Sequence, residues 1–560
     1  MKRRGPLPAV LAGSRRGLMA WLLANGIAQA ATMAGIAIAT RHGFDGLHQP
    51  EVAPNSVLAH AAAIAVLGLA LMWLRMAERT TAERLGQSYL TATRLRLFDH
   101  LNNLPSRVLQ KRTQGVLMVR FVADLNALND WVSRGLARLA VAAITIVSAV
   151  GVLAWLDPLI ATCVAGAIAV AVATLAAAGS PLYLRVRELR RARGRMAANL
   201  GEKLNVYSPV RVFGRTRGER SRLQKQSSRL AQAAVSQARL AALLRAVPDA
   251  ASTILTALVL AAGLLRVQQA GWGTLLAAIL VVNLLDSPLR DLGRIFVFWQ
   301  NFRAARDVLG GFLRLPTLAS GRRLPPLSPG PGHLALDQVS VAGALTQVSA
   351  EAPAGSLIAI TGGSGAGKST ILGLAARMFD PDQGTVRLDG QALAAHDLTS
   401  IRQAVGMISP DLPLLRGSIR RNLTYRASDA NDAEIADALQ LCGLQQAIAA
   451  LPRGLDTRIA ERGADLPAAL RQRLIVARAV MGGPRLLLID DADAMLDEVR
   501  TGTLAQVLRR RSTTILLVTS DPQWLSAADA VWRLDAGQLQ SVKETKHLHT
   551  SEHACAEVNI

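Results

Sequence analysis

A helical membrane domain of six spans followed by an α/β domain built on a phosphate-binding loop is the fold class this sequence predicts. Three observations carry that prediction. Six stretches reach or approach the ~20 apolar residues that a bilayer requires. A run of prolines and glycines interrupts the chain between residues 314 and 333. Beyond it, an apolar strand pattern runs into Gly362-Gly-Ser-Gly-Ala-Gly-Lys368-Ser369-Thr370. Bulk properties agree: of 560 residues 51% are hydrophobic and the mean hydropathy is +0.26, too apolar for a wholly soluble chain of this length.

Residues 1–17 form a basic N-terminus with Lys2, Arg3, Arg4, Arg15 and Arg16. The apolar run that follows, Leu18–Thr40, is too long for a signal-peptide core and has no evident cleavage site, so it reads as a retained anchor. Together with Ser56–Leu74, Leu136–Leu156, Pro158–Tyr183, Ala246–Leu265 and Gly273–Leu289, it gives six helical spans within residues 18–313. A helix is required because no other single segment satisfies its own backbone in lipid. Arginine is dense in two long segments, Arg75–Gly135 and Leu184–Arg245, and sparse in Arg41–Asn55, Trp155–Pro158 and Arg266–Trp272. The positive-inside rule therefore places both termini and the two long segments in the cytoplasm. The long segments lack Pro/Gly punctuation, so the spans should continue as helices beyond the lipid.

The linker, residues 314–333, holds Pro316, Pro325, Pro326, Pro329 and Pro331. After it, residues 334–540 alternate short β-branched runs with helical patterns, the mark of an α/β domain with a largely parallel sheet. Residues 541–560 read as a disordered tail, in which His547, His549, His553 and Cys555 lack the second half of a metal site. The net charge of +23 is spread between apolar runs, and only 4% of residues are aromatic, so no stacking surface for nucleic acid stands out. Cys163, Cys442 and Cys555 fit neither a disulfide framework nor a zinc spacing.

The strand Leu357–Ile360 leading into a glycine loop and a helix near Lys368 is the context a phosphate-binding loop needs. Gly362, Gly363, Ser364, Gly365, Ala366 and Gly367 would let backbone N–H groups curl around phosphate oxygens. Lys368 would reach the terminal phosphates, with Ser369 and Thr370 opening the helix whose positive dipole end faces the anion. Leu486-Leu-Leu-Ile-Asp490 is an apolar strand ending in a carboxylate placed to hold Mg²⁺ with Ser369. ATP and Mg²⁺ are thus the expected cofactors.

The order of these segments resembles the ATP-binding cassette (ABC) exporter family in its half-transporter form, one membrane domain fused to one nucleotide-binding domain. Leu95-Arg-Leu-Phe-Asp-His-Leu101 with Leu104-Pro105 precedes a region similar to the family's first coupling helix. Val210-Arg-Val-Phe-Gly-Arg215 is similar to the second, and Ser287-Pro-Leu-Arg-Asp-Leu-Gly293 resembles the end of the sixth span. Leu388-Asp-Gly390, Glu461-Arg-Gly463, Arg471-Gln-Arg473, Ala477-Arg-Ala479 and Leu496-Asp497 match the cassette framework in order and spacing.

Against that framework the chain departs at successive site positions. Pro410 stands where the family has the glutamine of its Q-loop and offers no side-chain donor or acceptor. The signature Leu-Ser-Gly-Gly-Gln reads Leu466-Pro467-Ala468-Ala469-Leu470, which loses a hydroxyl and an amide and adds methyls where backbone approaches phosphate. Asp491 replaces the catalytic glutamate and is the remaining candidate base, one methylene shorter. Ser520 replaces the switch histidine, and the adenine-stacking aromatic is missing from Val339–Gly343.

The resemblance implies a cassette that binds ATP and hydrolyses it weakly. It also implies a partner, a second and intact half-transporter, with membrane lipids around the pair and an unidentified exported substrate. The expected location is the bacterial inner membrane. The alternative is a catalytically deficient ATP-sensing or structural membrane subunit. Within the spans, Asn25, Gln29 and Thr32 share one helix face, as do Asn283 and Asp286. For the first face, cavity lining and interhelical hydrogen bonding both fit; for Asp286, near the inner end of its span, a solvated charge is the simpler account. His60 reads as a packing histidine.

Overall fold

The computed structural model describes residues 7–46, 54–110, 120–177, 179–205, 207–318, 324–491 and 513–544. Leu496-Asp497, Lys111, Arg112, Gln114 and the His/Cys tail lie outside them. The chain divides into two compact units, one comprising 1–102 and 110–315, the other 103–109 and 316–560.

The first unit is helical. Six helices are long and apolar enough to cross a membrane: Arg15–Phe44, Leu58–Asn102, Val122–Leu156, Pro158–Ala177, Thr216–Leu265 and Trp272–Leu313. The last two of these follow one another closely, with helical turns running on through the connection between Leu265 and Trp272. Arg290 pairs with Asp249 at 3.3 Å, a residue that one straight helix would hold some 60 Å away at 1.5 Å per residue. The chain therefore reverses between the fifth and sixth of these helices. The helices run well past the length lipid demands; the second, Pro54–Asn102, has 49 residues. Alanines are interleaved with larger aliphatics in the packed interior, with Ala37, Ala149, Ala161, Ala277 and Ala278 among Leu153, Leu255 and Leu285.

The polar face of the first helix is used between helices. Gln29 Nε2 donates to Asn25 Oδ1 at 2.7 Å and to Glu78 Oε2 at 2.8 Å, while Asn25 Nδ2 donates to Leu74 O at 3.2 Å. Thr32 returns its hydroxyl to Ala28 O. Asp286 accepts from Arg290 Nε at 2.9 Å, one turn along its own helix.

The second unit is α/β. Its strands among the described residues are β1 Leu334–Val341, β2 Leu345–Ala352, β3 Leu357–Gly362, β4 Gln383–Leu388, β5 Gln391–Ala392, β6 Val405–Ile408, β7 Gly417–Ser418, β8 Arg458–Ile459, β9 Leu486–Ile489, β10 Thr514–Val518, β11 Ala530–Asp535 and β12 Gln538–Glu544. One sheet is antiparallel, β2-β1-β4-β5; the other runs β12-β11-β3-β10-β9-β6, with all but β12 parallel.

The apolar runs at β3, β9 and β10 follow from burial on both faces. Leu357 and Ala359 point into one core with Leu487, Ile489, Ile515 and Leu517; Ile358 and Ile360 point into the other with Leu486, Leu488, Leu516 and Val518. The short segment 103–109 belongs to this unit: Ser106 N donates to Met378 O at 2.9 Å, and the Arg107 guanidinium lies 4.1 Å from the Phe379 ring centroid.

Candidate functional site

Strand register brings the sequence-predicted residues together. β10 pairs with β3 as Val518↔Ile360 and with β9 as Leu517↔Ile489, and β6 pairs with β9 as Ile408↔Ile489. Four parallel strands thus end nearly level. Residues just beyond their carboxyl ends share one edge of the sheet, where an open α/β sheet binds ligands. β3 contributes the glycine loop, β10 Ser520, β9 Asp490 and Asp491, and β6 Pro410.

The loop is shaped as its sequence requires. Gly367 has φ 103 and caps the helix Lys368–Ala375 without any side-chain acceptor, leaving the first N–H groups of that helix available to an anion. A Cβ there would meet Leu345 Cδ2 at 2.6 Å and Ala344 O at 2.7 Å, so only glycine fits. Lys368 Nζ folds over the loop and donates to Gly362 O at 2.7 Å and Gly363 O at 2.8 Å. Gly363, Ser364 and Gly365 are exposed, while Ala366 is buried beneath them. Ser369 Oγ donates to Asp490 Oδ1 at 3.1 Å, which puts a hydroxyl and a carboxylate side by side as magnesium requires. The donor set therefore fits Mg-ATP: ammonium and N–H groups for phosphate, hard oxygens for the metal.

Burial pushes the Asp490 carboxyl above its ordinary range, and the nearby Asp491 and Asp411 charges add to that, against the Ser369 hydrogen bond. A carboxylate raised in the folded state stabilises the fold below its ordinary pKa, and that stability is lost as pH rises through the raised value. Asp490→Asn is accordingly expected to raise the thermal midpoint at pH 7.5 in EDTA, with the gain shrinking as pH falls into the ordinary Asp range. Calorimetry across that range checks it.

Pro410, Asp491 and Ser520 follow the ends of β6, β9 and β10. Asp490 N donates to Ile408 O at 2.9 Å, so the turn after β6 lies beside Asp490. That turn presents Pro410, with Asp411 N donating to the buried Ser409 Oγ at 3.3 Å. Asp411 is a residue sequence reasoning passed over; its signal was only adjacency to Pro410, and the strand pairing supplies the rest. Asp491 follows at φ 51, a left-handed conformation Asp tolerates, and is exposed. Ser520 is exposed beyond β10, where Asp521 caps the next helix through Gln523 N at 2.9 Å.

The helix Ala468–Val480 begins after Pro467, which offers no cap, and both Pro467 and Ala468 are exposed. At the turn after β1, Gly343 has φ 72 and open space beside it.

Known proteins match along most of the chain. A family model described as ABC transporter transmembrane region matches residues 18–289, and one described as ABC transporter matches residues 345–494. An ATP-dependent lipid A-core flippase of Burkholderia orbicola is 27% identical over 94% of this chain and 89% of its own length. A multidrug efflux ATP-binding/permease protein of Mycobacterium tuberculosis is 35% identical over 48% of this chain, a match that spans only 23% of that protein. Among solved structures, a bacterial Atm1-family ABC exporter with ATP bound superimposes with a TM-score of 0.86 at 24% identity, covering 95% of each chain. With both family regions matched in order on either side of the linker, the chain belongs to the ABC transporter family and carries its transmembrane region and nucleotide-binding domain in one polypeptide.

Proposed function

We propose that the chain is one half of an ABC exporter of a bacterial inner membrane, with both termini cytoplasmic, and that it binds Mg-ATP but hydrolyses it poorly without an intact partner half. The observation that carries this reading is the contrast along one sheet edge: β3 ends in a complete phosphate loop, while β6, β9 and β10 lead into Pro410, Asp491 and Ser520.

A nucleotide-binding domain of this family uses ATP with Mg²⁺, which supplies the phosphoanhydride for hydrolysis. Lys368 would exchange its loop carbonyls for phosphate oxygens. Ser369 and Asp490 would hold the metal, and Gly362, Gly363, Ser364, Gly365, Ala366, Gly367 and Thr370 would form the cradle. Asp491 is the group left to accept the proton of the attacking water. Its shorter reach, with no glutamine beside it and no histidine facing it, supports slow chemistry.

In a head-to-tail pair, the Pro467-Ala468-Ala469 surface would close over the partner's nucleotide and grip it weakly. The partner's own signature and base would serve the other requirements. The docking of segment 103–109 on the cassette supports coupling of nucleotide-driven movement to the membrane helices through Leu104–Leu109.

Purification from native membrane tests the reading. A second half-transporter with an intact signature, catalytic glutamate and switch histidine is expected to co-purify. The pair's ATPase should depend more on the partner's phosphate-loop lysine than on Lys368. Co-purification with a complex lacking any transporter half would favour an ATP-sensing subunit instead.

A further inference from the structure

The cytoplasmic extension of the fourth span, the helix Gly179–Asn205, carries a second polar centre, built from residues of the helical unit. Tyr183, Arg187, Arg190, Arg191 and Gly194 recur at i, i+4, i+7, i+8 and i+11, so they share one face. With Asp124, Arg193 and Asp307 they line a cavity of about 390 Å³, within the range of small-molecule sites.

Its charges do not balance. Arg190 is neutralised by Asp124, and its Nη2 donates to Asn301 O at 3.1 Å. Asp307 accepts the Tyr183 hydroxyl at 2.5 Å, and the Arg303 guanidinium lies 4.7 Å from the Tyr183 ring centroid. Arg187, Arg191 and Arg193 have no carboxylate within ion-pair distance among the described residues. Four arginines, Arg187, Arg190, Arg191 and Arg193, thus meet two carboxylates, Asp124 and Asp307, along this lining, and the unpaired Arg187, Arg191 and Arg193 are exposed, so the surplus positive charge is open to an anion from solution. Planar guanidinium forks suit phosphate oxygens in particular. Ala304 and Val308 add an apolar wall, suited to a carbon skeleton rather than a bare ion.

We propose that this cavity binds a phosphate-bearing organic anion, its charge held by Arg187, Arg191 and Arg193 and its carbon skeleton against Ala304 and Val308. A soluble organophosphate and an anionic lipid headgroup share that chemistry. The inference does not depend on hydrolysis by the cassette.

The test uses the full chain in nanodiscs, with Lys368→Ala throughout to weaken the cassette's own phosphate loop. Calorimetric titration with pyrophosphate in phosphatidylcholine discs is expected to show saturable binding, weakened about 100-fold by Arg187→Ala/Arg191→Ala, which removes two charge-assisted contacts. Arg185→Ala, an exposed arginine paired with Glu188 at 3.1 Å and off the cavity, should bind as the parent does. Native mass spectrometry in discs containing phosphatidylglycerol separates the sources. A headgroup site gives fewer retained anionic lipids in the double variant and weaker pyrophosphate binding by the parent in phosphatidylglycerol discs than in phosphatidylcholine discs; a site for a soluble ligand gives the parent the same pyrophosphate affinity in both kinds of disc. Equal pyrophosphate affinity and equal lipid retention in parent and double variant would overturn the proposal, as would an equal loss in Arg185→Ala.

Discussion

Lys368→Ala is expected to weaken ATP binding by about 100-fold, because the ammonium makes two bonds that a phosphate would take over and charge-assisted bonds are worth ~1.5–3 kcal/mol each. Those bonds, 2.7 and 2.8 Å to Gly362 O and Gly363 O, hold the side chain across the loop mouth, so alanine leaves the loop without its only ammonium. The fold should survive, since Lys368 is part-exposed and the helix it opens is anchored by the buried Ile371, Leu372, Leu374 and Ala375. Equilibrium binding of a fluorescent ATP analogue checks the loss, and an unchanged melting temperature without nucleotide separates it from unfolding.

The second large effect is a gain. Asp491→Glu alone is expected to change turnover little, because on the proposed reading Pro410 and the Leu466–Leu470 segment still lack the water-orienting and signature groups, and residues that act as a unit are strongly non-additive. Combined with Pro410→Gln, Ser520→His, Pro467→Ser, Ala468→Gly, Ala469→Gly and Leu470→Gln, it should raise ATPase activity by about 100-fold or more, the scale of a restored general base. The structure makes this reasonable because the backbone frame is in place. The four strand ends are level, and Pro467 and Ala468 face solvent rather than a core that glycine would hollow out. Steady-state phosphate release from the combined variant checks it.

Much of this was legible in the sequence because the relevant physics is local. A span is a matter of length and apolarity, a phosphate loop is a fixed glycine spacing after a strand, and a buried parallel strand reads as Leu486-Leu-Leu-Ile489 without alternation. What was hidden depends on contacts far apart in the chain. The arginines of 185–195 were visible as a basic run, but not that Arg190 pairs with Asp124 while Arg187, Arg191 and Arg193 line the same cavity without an ion pair among the described residues. Asn25 and Gln29 could have faced a cavity; Leu74 and Glu78, 49 residues on, decide for interhelical bonding. Asp411 gained meaning only once β6 was seen beside β9.

The proposed function requires a cassette that binds nucleotide and turns it over poorly without a partner. The most direct measurement pairs ATP binding with phosphate release on the purified chain in nanodiscs, without any partner. Saturable Mg²⁺-dependent binding, lost in Lys368→Ala, together with phosphate release at the background rate is the predicted result. Release at about 1 s⁻¹ or faster, abolished by Lys368→Ala, would contradict it.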